Sequence, residues 1–220
     1  MDVAGTAWEH LGASYDDVAD VYETRFANEL DAKPADRELL ERFVASTTGP
    51  LVDIGCGPGH IGAFVRARGH RVLGLDLSPA MARRASARLD GAVVGDVRAL
   101  PFADRSIGGI VAFYSLIHVR RPELVGALGE IRRVLRPGGR TLFSAHEGTG
   151  DVVVEEFLGR PSPFAATLFT LDELVAAATG AGLEVTTSER RPPYPEEGRT
   201  TRLYVGARRP SITLSSVRAG

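Results

Sequence analysis

The sequence predicts an α/β fold: a doubly wound, mostly parallel sheet with helices on both faces. Three observations predict it. Between residues 50 and 145, short apolar stretches alternate with helical patterns, which is the order of right-handed βαβ units. The first of those stretches, Leu51–Ile54, runs straight into a turn with glycine at alternate positions, Gly55, Gly57 and Gly59. The last two apolar stretches are joined by a proline-rich segment too short and too broken for a crossover helix, so they pair antiparallel.

The elements follow in chain order. Ser14 to Asn28 reads as an amphipathic helix, because Tyr15, Val18, Ala19, Tyr22 and Phe26 recur at spacings of three and four. Ala35 to Ala45 reads as a second helix, stopped by Ser46-Thr47-Thr48-Gly49-Pro50. The expected strands are then Leu51–Ile54, Arg71–Leu75, Ala92–Val94, Gly109–Phe113 and Thr141–Ala145. The helices between them are expected at Ile61–Arg68, Pro79–Leu89 and Pro122–Leu135. A further helix, Leu171 to Thr179, is capped by Thr170 with Glu173 at the capping-box position. Leu183–Thr187 and Thr201–Ala207 form the closing pair. Residues 146–169 are an insertion whose Val152-Val153-Val154, Phe157, Phe164 and Phe169 either line a pocket or pack the segment onto the domain. Ser211 to Gly220 has little apolar content and reads as a tail.

Composition bounds the function. The 220 residues suffice for one α/β domain with its own core. A formal net charge of −2 sets up no field for nucleic acid or a membrane surface. Lys33 is the only lysine, so nearly all positive charge is arginine, and clusters such as Arg83-Arg84 and Arg132-Arg133 read as solvated helix faces. The single cysteine, Cys56, excludes an internal disulfide and reads as a small side chain packed behind the glycine turn rather than as a reactive thiol. No amino-terminal apolar segment resembles a signal peptide, and no apolar run is long enough for a bilayer, so a cytoplasmic location is expected. No spacing of Cys, His and carboxylates suits a metal.

The chemistry concentrates at the strand ends. Asp53 is expected at the mouth of the site, where a carboxylate suits a ligand carrying an amine or a positive charge. A literal G-x-G-x-x-G at Gly57, Gly59 and Gly62 raises a dinucleotide reading. Three features count against it: Gly55 falls outside that frame, Asp53 repels a pyrophosphate, and Pro58 removes an N–H that a pyrophosphate needs.

The ordered blocks resemble one family. Asp-Ile-Gly-Cys-Gly-Pro-Gly at residues 53–59 is similar to the first motif of class I S-adenosylmethionine (SAM) dependent methyltransferases. Gly74-Leu75-Asp76-Leu77-Ser78-Pro79-Ala80-Met81 resembles the second motif, and Gly95-Asp96-Val97 with Leu100-Pro101-Phe102 the third. Leu135-Arg136-Pro137-Gly138-Gly139 resembles the turn before the fifth strand. Together the four blocks cover roughly residues 50 to 145 and are far more specific than the glycine pattern alone.

The resemblance implies a Rossmann-like sheet of seven strands with an antiparallel last strand. It implies an amino-terminal helical lid over residues 1–48, a SAM-binding domain over 49–209 with the 146–169 insertion as a cap, and a tail over 210–220. SAM is the implied cofactor and S-adenosylhomocysteine its product. Around it the resemblance places Asp53, Gly55, Cys56, Gly57, Gly59 and Phe113. It gives Asp76 the ribose hydroxyls, Leu77 and Met81 the adenine faces, and Asp96 and Val97 the adenine edge. Capping or turn chemistry is the competing role for Asp76 and Asp96. Tyr15 and Tyr22 lie two turns apart on the lid helix, where a tyrosine closes over the cofactor in similar enzymes; ordinary packing is the alternative.

Methyl transfer needs a base only when the nucleophile has a proton to lose. His118 after the fourth strand and His146 after the fifth are the candidates, with Tyr114 beside them; each histidine is otherwise a polar residue satisfied at a strand end. Glu147 is a weaker candidate, and Arg199 and Arg202 read as solvated. The resemblance is to the broad group of quinone-biosynthetic and secondary-metabolite methyltransferases, which implies a small-molecule acceptor and a monomer or homodimer without nucleic acid or membrane. Two other functions stay open: non-methylating chemistry in the same pocket, such as cyclisation, and a non-catalytic SAM-binding subunit.

Overall fold

The computed structural model describes residues 3–211. Its core is a seven-stranded sheet made of β1 (Leu51–Ile54), β2 (Val72–Asp76), β3 (Ala92–Val94), β4 (Ile107–Ala112), β5 (Leu135–His146), β8 (Glu184–Arg191) and β9 (Arg202–Arg208). The order is β3-β2-β1-β4-β5-β9-β8. β1 pairs parallel with β2 on one side and β4 on the other, so the winding reverses at β1 and opens a crevice at its carboxyl end. β9 alone runs against its neighbours, antiparallel to both β5 and β8.

Two helical layers cover the sheet. On one face α3 (Pro34–Ala45), α4 (His60–Arg66) and α5 (Pro79–Ala85) bury Leu40, Phe43, Ile61, Val65 and Ala85. On the other, α6 (Leu124–Val134) and α7 (Leu171–Gly180) bury Leu128, Ile131, Leu174 and Ala178. β1 serves both, since alternate residues point to opposite faces: Val52 and Ile54 join one cluster and Leu51 the other. The capping box at Thr170 and Glu173 closes both ways at the start of α7.

Several boundaries differ from expectation. An additional helix, α1 (Val3–Glu9), precedes α2 (Leu11–Phe26), and the chain kinks between them at His10. α5 stops at Ala85 because the chain tightens into three-residue turns at Ala87 and Arg88 and Asp90 then folds back to accept the Val72 N–H. β5 begins at Leu135, taking in the glycine turn as a register shift opposite β4. β8 runs on to Arg191, shortening the link to β9. Of the arginine pairs, Arg83 is exposed as expected, but the others are engaged. Arg84 binds Glu23 of α2, and Arg133 binds Glu130, Asp104 and the carbonyls of Leu100 and Phe102.

The 146–169 insertion is a hairpin, β6 (Asp151–Val154) against β7 (Phe164–Thr167). Of the two roles left open it takes the packing one: Ala166 and Phe169 join the main core and Phe157 and Phe164 pack against Tyr15 of α2, while none of its residues lines the crevice beside β1. Most of the expected tail, residues 212–220, lies outside the described residues. Among the described residues no helix is long and apolar enough to cross a membrane.

Candidate active site

The crevice beside β1 opens into a cavity, about 610 Å³ of empty space counted out to the open solvent, lined by residues from α2, the glycine loop, and the ends of β2 and β4. Its floor is built by backbone donors meeting carboxylates. Asp76, at the end of β2, is 8% exposed. Its Oδ2 accepts the Gly57 N–H at 2.8 Å and its Oδ1 accepts the Ser78 N–H at 2.9 Å. Burial pushes its pKa up to about 6. Each carboxylate oxygen can accept a further hydrogen bond, and Asp76 lines the cavity.

The glycines are needed for space as well as for conformation. Gly55 has φ +64, and a Cβ there would sit 2.3 Å from the Ser115 Cβ. Gly57 has φ +53, and its missing Cβ faces the Tyr22 ring at 3.6 Å. Both line the cavity. Ser115 does too, and its Oγ is buried without a hydrogen-bond partner.

Three expected contacts are corrected. Asp53 is 1% exposed and does not stand at the mouth of the site: its Oδ2 turns under the loop to accept the Gly62 N–H at 2.8 Å, and burial pushes its pKa up to about 7. Cys56 packs behind the loop, where its thiol donates to the Gly57 carbonyl and burial pushes its pKa up. Gly59 faces away as well, since its φ of +88 starts α4 and a Cβ would meet Ala85 at 3.0 Å. Asp53, Cys56 and Gly59 pack beneath the loop while Gly55 and Gly57 line the cavity.

Beyond the end of β2, Leu77, Met81 and Val97 line the cavity with Leu11 and Gly95. Asp96 does not line it. Its carboxylate is held by Arg98 through the backbone N–H and the guanidinium at 2.6 to 3.1 Å, and it borders an adjoining groove with Trp8, Arg120 and Glu123. Burial raises the Asp96 pKa, but the Arg98 contacts outweigh it and leave the carboxyl below its ordinary value.

The roof is α2. Tyr15 and Tyr22 line the cavity and stack edge to face at 5.9 Å. Two contacts hold α2 in place. Asp16 accepts from the Ser78 hydroxyl and the Ala80 N–H, so it caps α5 from across the fold. Ser14 donates to the Pro163 carbonyl, and Ser162 returns a bond to the Ser14 carbonyl at 3.0 Å. Nothing in the sequence marked Asp16, because its partners lie more than 60 residues away.

The end of β4 carries the remaining candidates. Phe113 and Tyr114 line the cavity, Tyr114 with φ +52. Its ring faces the cavity while its hydroxyl turns away to Tyr204, which donates to Asp36. Tyr114 is therefore a wall, not a proton donor to the cavity. His118 lines the cavity; His146 does not. His146 stacks on the outer face of Tyr114 at 5.0 Å, with Nδ1 on the Thr200 hydroxyl. Burial and the Arg202 charge push its pKa down to about 4. Arg202 is 4% exposed rather than solvated, and it bonds the carbonyls of Gly198 and Thr200. Glu147 is tied to Arg190.

The cavity fits SAM. An apolar slot, a buried carboxylate with spare lone pairs, glycines that leave the loop bare and the unsatisfied Ser115 Oγ are complementary to adenine, ribose and a polar amino-acid tail.

Comparison with known proteins agrees with this geometry. Residues 52–143 match the family model described as "Methyltransferase domain". A malonyl-[acyl-carrier protein] O-methyltransferase of Serratia marcescens is 36% identical over 128 residues, covering 55% of this chain and 49% of that protein. The chain thus spans about half the length of the curated relatives it matches. Among solved structures, a SAM-dependent methyltransferase of Methanosarcina mazei superposes with a TM-score of 0.69 at 19% identity, covering 79% of this chain and 97% of that one. The [4+2]-cyclase SpnF superposes at 0.60 with 20% identity, covering 81% and 82%.

Proposed function

We propose that this chain is an enzyme that moves a methyl group from SAM to a small-molecule acceptor, a reading supported by the match of residues 52–143 to the methyltransferase domain model. The observation that carries the reading is the cavity at the β1 switch point, floored by Asp76 and roofed by α2.

When bound, the cofactor supplies a methyl group already activated on a sulfonium. The residues hold and orient it. Asp76 receives the ribose hydroxyls, Leu77, Met81 and Val97 sandwich the adenine, and Gly55 and Gly57 leave the loop backbone open to the amino-acid tail. Tyr22 covers the glycine loop and excludes water. Phe113 and Tyr114 form the wall beside which the acceptor lies, so positioning provides most of the catalysis. The malonyl-[acyl-carrier protein] in the Serratia relative's name belongs to that protein; here the acceptor is a small molecule able to enter among aromatic rings. The chain works in the cytoplasm as a monomer or homodimer.

Calorimetry tests the cofactor. SAM or S-adenosylhomocysteine should bind with micromolar affinity, about 8 kcal/mol, and NAD should give no comparable response. Absence of heat and of thermal shift at about millimolar ligand rejects the reading. A labelled methyl group tests the reaction, because a fold shared with a cyclase leaves chemistry to the site. Turnover without label transfer indicates cyclase-like chemistry, and binding without turnover a non-catalytic subunit.

A further inference from the structure

Tyr15 and His118 meet across the cavity, and their contact assigns the proton on the imidazole. His118 Nδ1 lies 2.8 Å from the Ala165 carbonyl of β7. A carbonyl only accepts, so Nδ1 carries the hydrogen and Nε2 presents a lone pair. Tyr15 Oη lies 2.8 Å from that Nε2 and therefore donates to it. The imidazole has no free nitrogen left to touch an acceptor. Both residues line the cavity, and of the pair only the Tyr15 oxygen still has lone pairs of its own.

Three separate elements build this contact: α2 brings Tyr15, the turn after β4 brings His118, and the β6–β7 hairpin brings Ala165. Phe157 and Phe164 hold the Tyr15 ring at 6.0 and 6.4 Å, and the His118 ring meets it edge to face at 5.4 Å. Burial keeps both groups neutral, pushing the tyrosine up and the histidine down to about 4. Neither is a ready-made phenolate or imidazolium; the pair can only exchange one proton for another.

We propose that Tyr15 is a catalytic residue that takes a proton from the acceptor while passing its own to His118, and that the acceptors of this enzyme are neutral hydroxyl or amine groups. The inference rests on the methyltransferase reading. In the step, the acceptor's lone pair forms the bond to the methyl carbon as the carbon–sulfur bond breaks onto sulfur. The acceptor's proton goes to Tyr15 Oη, and the Tyr15 proton goes to His118 Nε2. Positive charge lost at sulfur reappears on the imidazole, so the dry pocket carries one positive charge before and after. The neutral tyrosine is regenerated within the step. His118 acts through Tyr15 and is a positioning and proton-storing residue.

Two measurements test this. In nitrogen-15 spectra of the histidine rings of the S-adenosylhomocysteine complex at neutral pH, His118 should be neutral, protonated at Nδ1 and hydrogen-bonded at Nε2. Tyr15→Phe should move Nε2 to its free position. In labelled-methyl transfer into a bacterial small-molecule extract, Tyr15→Phe and His118→Gln should each lower kcat by 10²–10⁴-fold, with KM for SAM within about threefold. A His118 protonated at Nε2, or a Tyr15→Phe variant with normal kcat, overturns the relay. Failure of the wild-type protein to bind S-adenosylhomocysteine or to transfer any label overturns the methyltransferase reading instead.

Discussion

The two sides of the cavity are built by different means. On the glycine-loop side, backbone N–H groups donate into carboxylates close in sequence: Ser78 to Asp76 across 2 residues, Gly62 to Asp53 across 9, Gly57 to Asp76 across 19. On the β4 side, side chains find partners far away: Tyr114 with Tyr204 across 90 residues, Tyr15 with His118 across 103, Ser14 with the Pro163 carbonyl across 149. The first side is a local arrangement that any sequence with this motif carries with it. The second exists only once the lid helix, the hairpin and the last strand have docked.

The comparison implies that the loop side is the less tolerant of change. Gly55→Ala should have the largest effect on stability, because it adds left-handed strain of about 1–2 kcal/mol to an overpacking cost of about 1–3 kcal/mol against Ser115. Chemical denaturation measures the sum. Combining it with Ser115→Gly should recover the packing part and leave the backbone part. Full loss in the double variant contradicts the close approach seen here.

Asp76→Ala comes next. It removes the expected ribose contact and should weaken S-adenosylhomocysteine binding by about ten- to a hundredfold. It also leaves the Gly57 and Ser78 N–H groups without a partner, so stability should fall by about 1–3 kcal/mol. Calorimetry and denaturation on the same variant separate the two. Unchanged binding confines Asp76 to bracing the loop.

Asp53 gives a pH signature. Its folded pKa, about 7, lies above the unfolded value of about 3.9, so the folded state binds the extra proton between them. The stability this contributes is fully present below the unfolded value and is lost as pH rises through about 7. The slope is up to about 1.4 kcal/mol per pH unit. Asp53→Asn should remove that slope, which denaturation of both proteins from pH 4 to pH 8 can read as a difference. Parallel curves place the titration elsewhere.

Arg160→Ala should have the smallest effect. Arg160 joins the hairpin to α2 through Asp20 and the Asp17 carbonyl, but its side chain is 41% exposed. The loss should stay below about 1 kcal/mol. A larger loss means the lid depends on this exposed contact more than on Ser14, Ser162 and the aromatic rings.

The asymmetry also explains what was legible beforehand. β1 and β3 fall where the apolar runs placed them, and the capping box at Thr170 and Glu173 closes as its spacing implied. Such features depend on residues within a few positions of one another. Asp53 and Gly59 were misplaced because a strand-end carboxylate and a loop glycine face either way, and only packing against Gly62 and Ala85 decides which. His118 and His146 each lie just past a strand in the sequence, which favours His118 only through the place of the fourth strand in similar proteins. Tertiary packing put one on the cavity and the other behind the Tyr114 ring.

By itself the sequence determined the alternating α/β order, the switch point beside β1, the glycine turn and the carboxylate at the end of β2. All are set by periodicity, backbone sterics and spacing within one βαβ unit. Only the tertiary structure decided which nitrogen of His118 holds its proton, that Tyr15 reaches the other, and that Asp16 caps a helix 64 residues on. A hydrogen bond between distant side chains has no local signature. Its partners are chosen by which surfaces the core brings together, and that choice belongs to the whole chain at once.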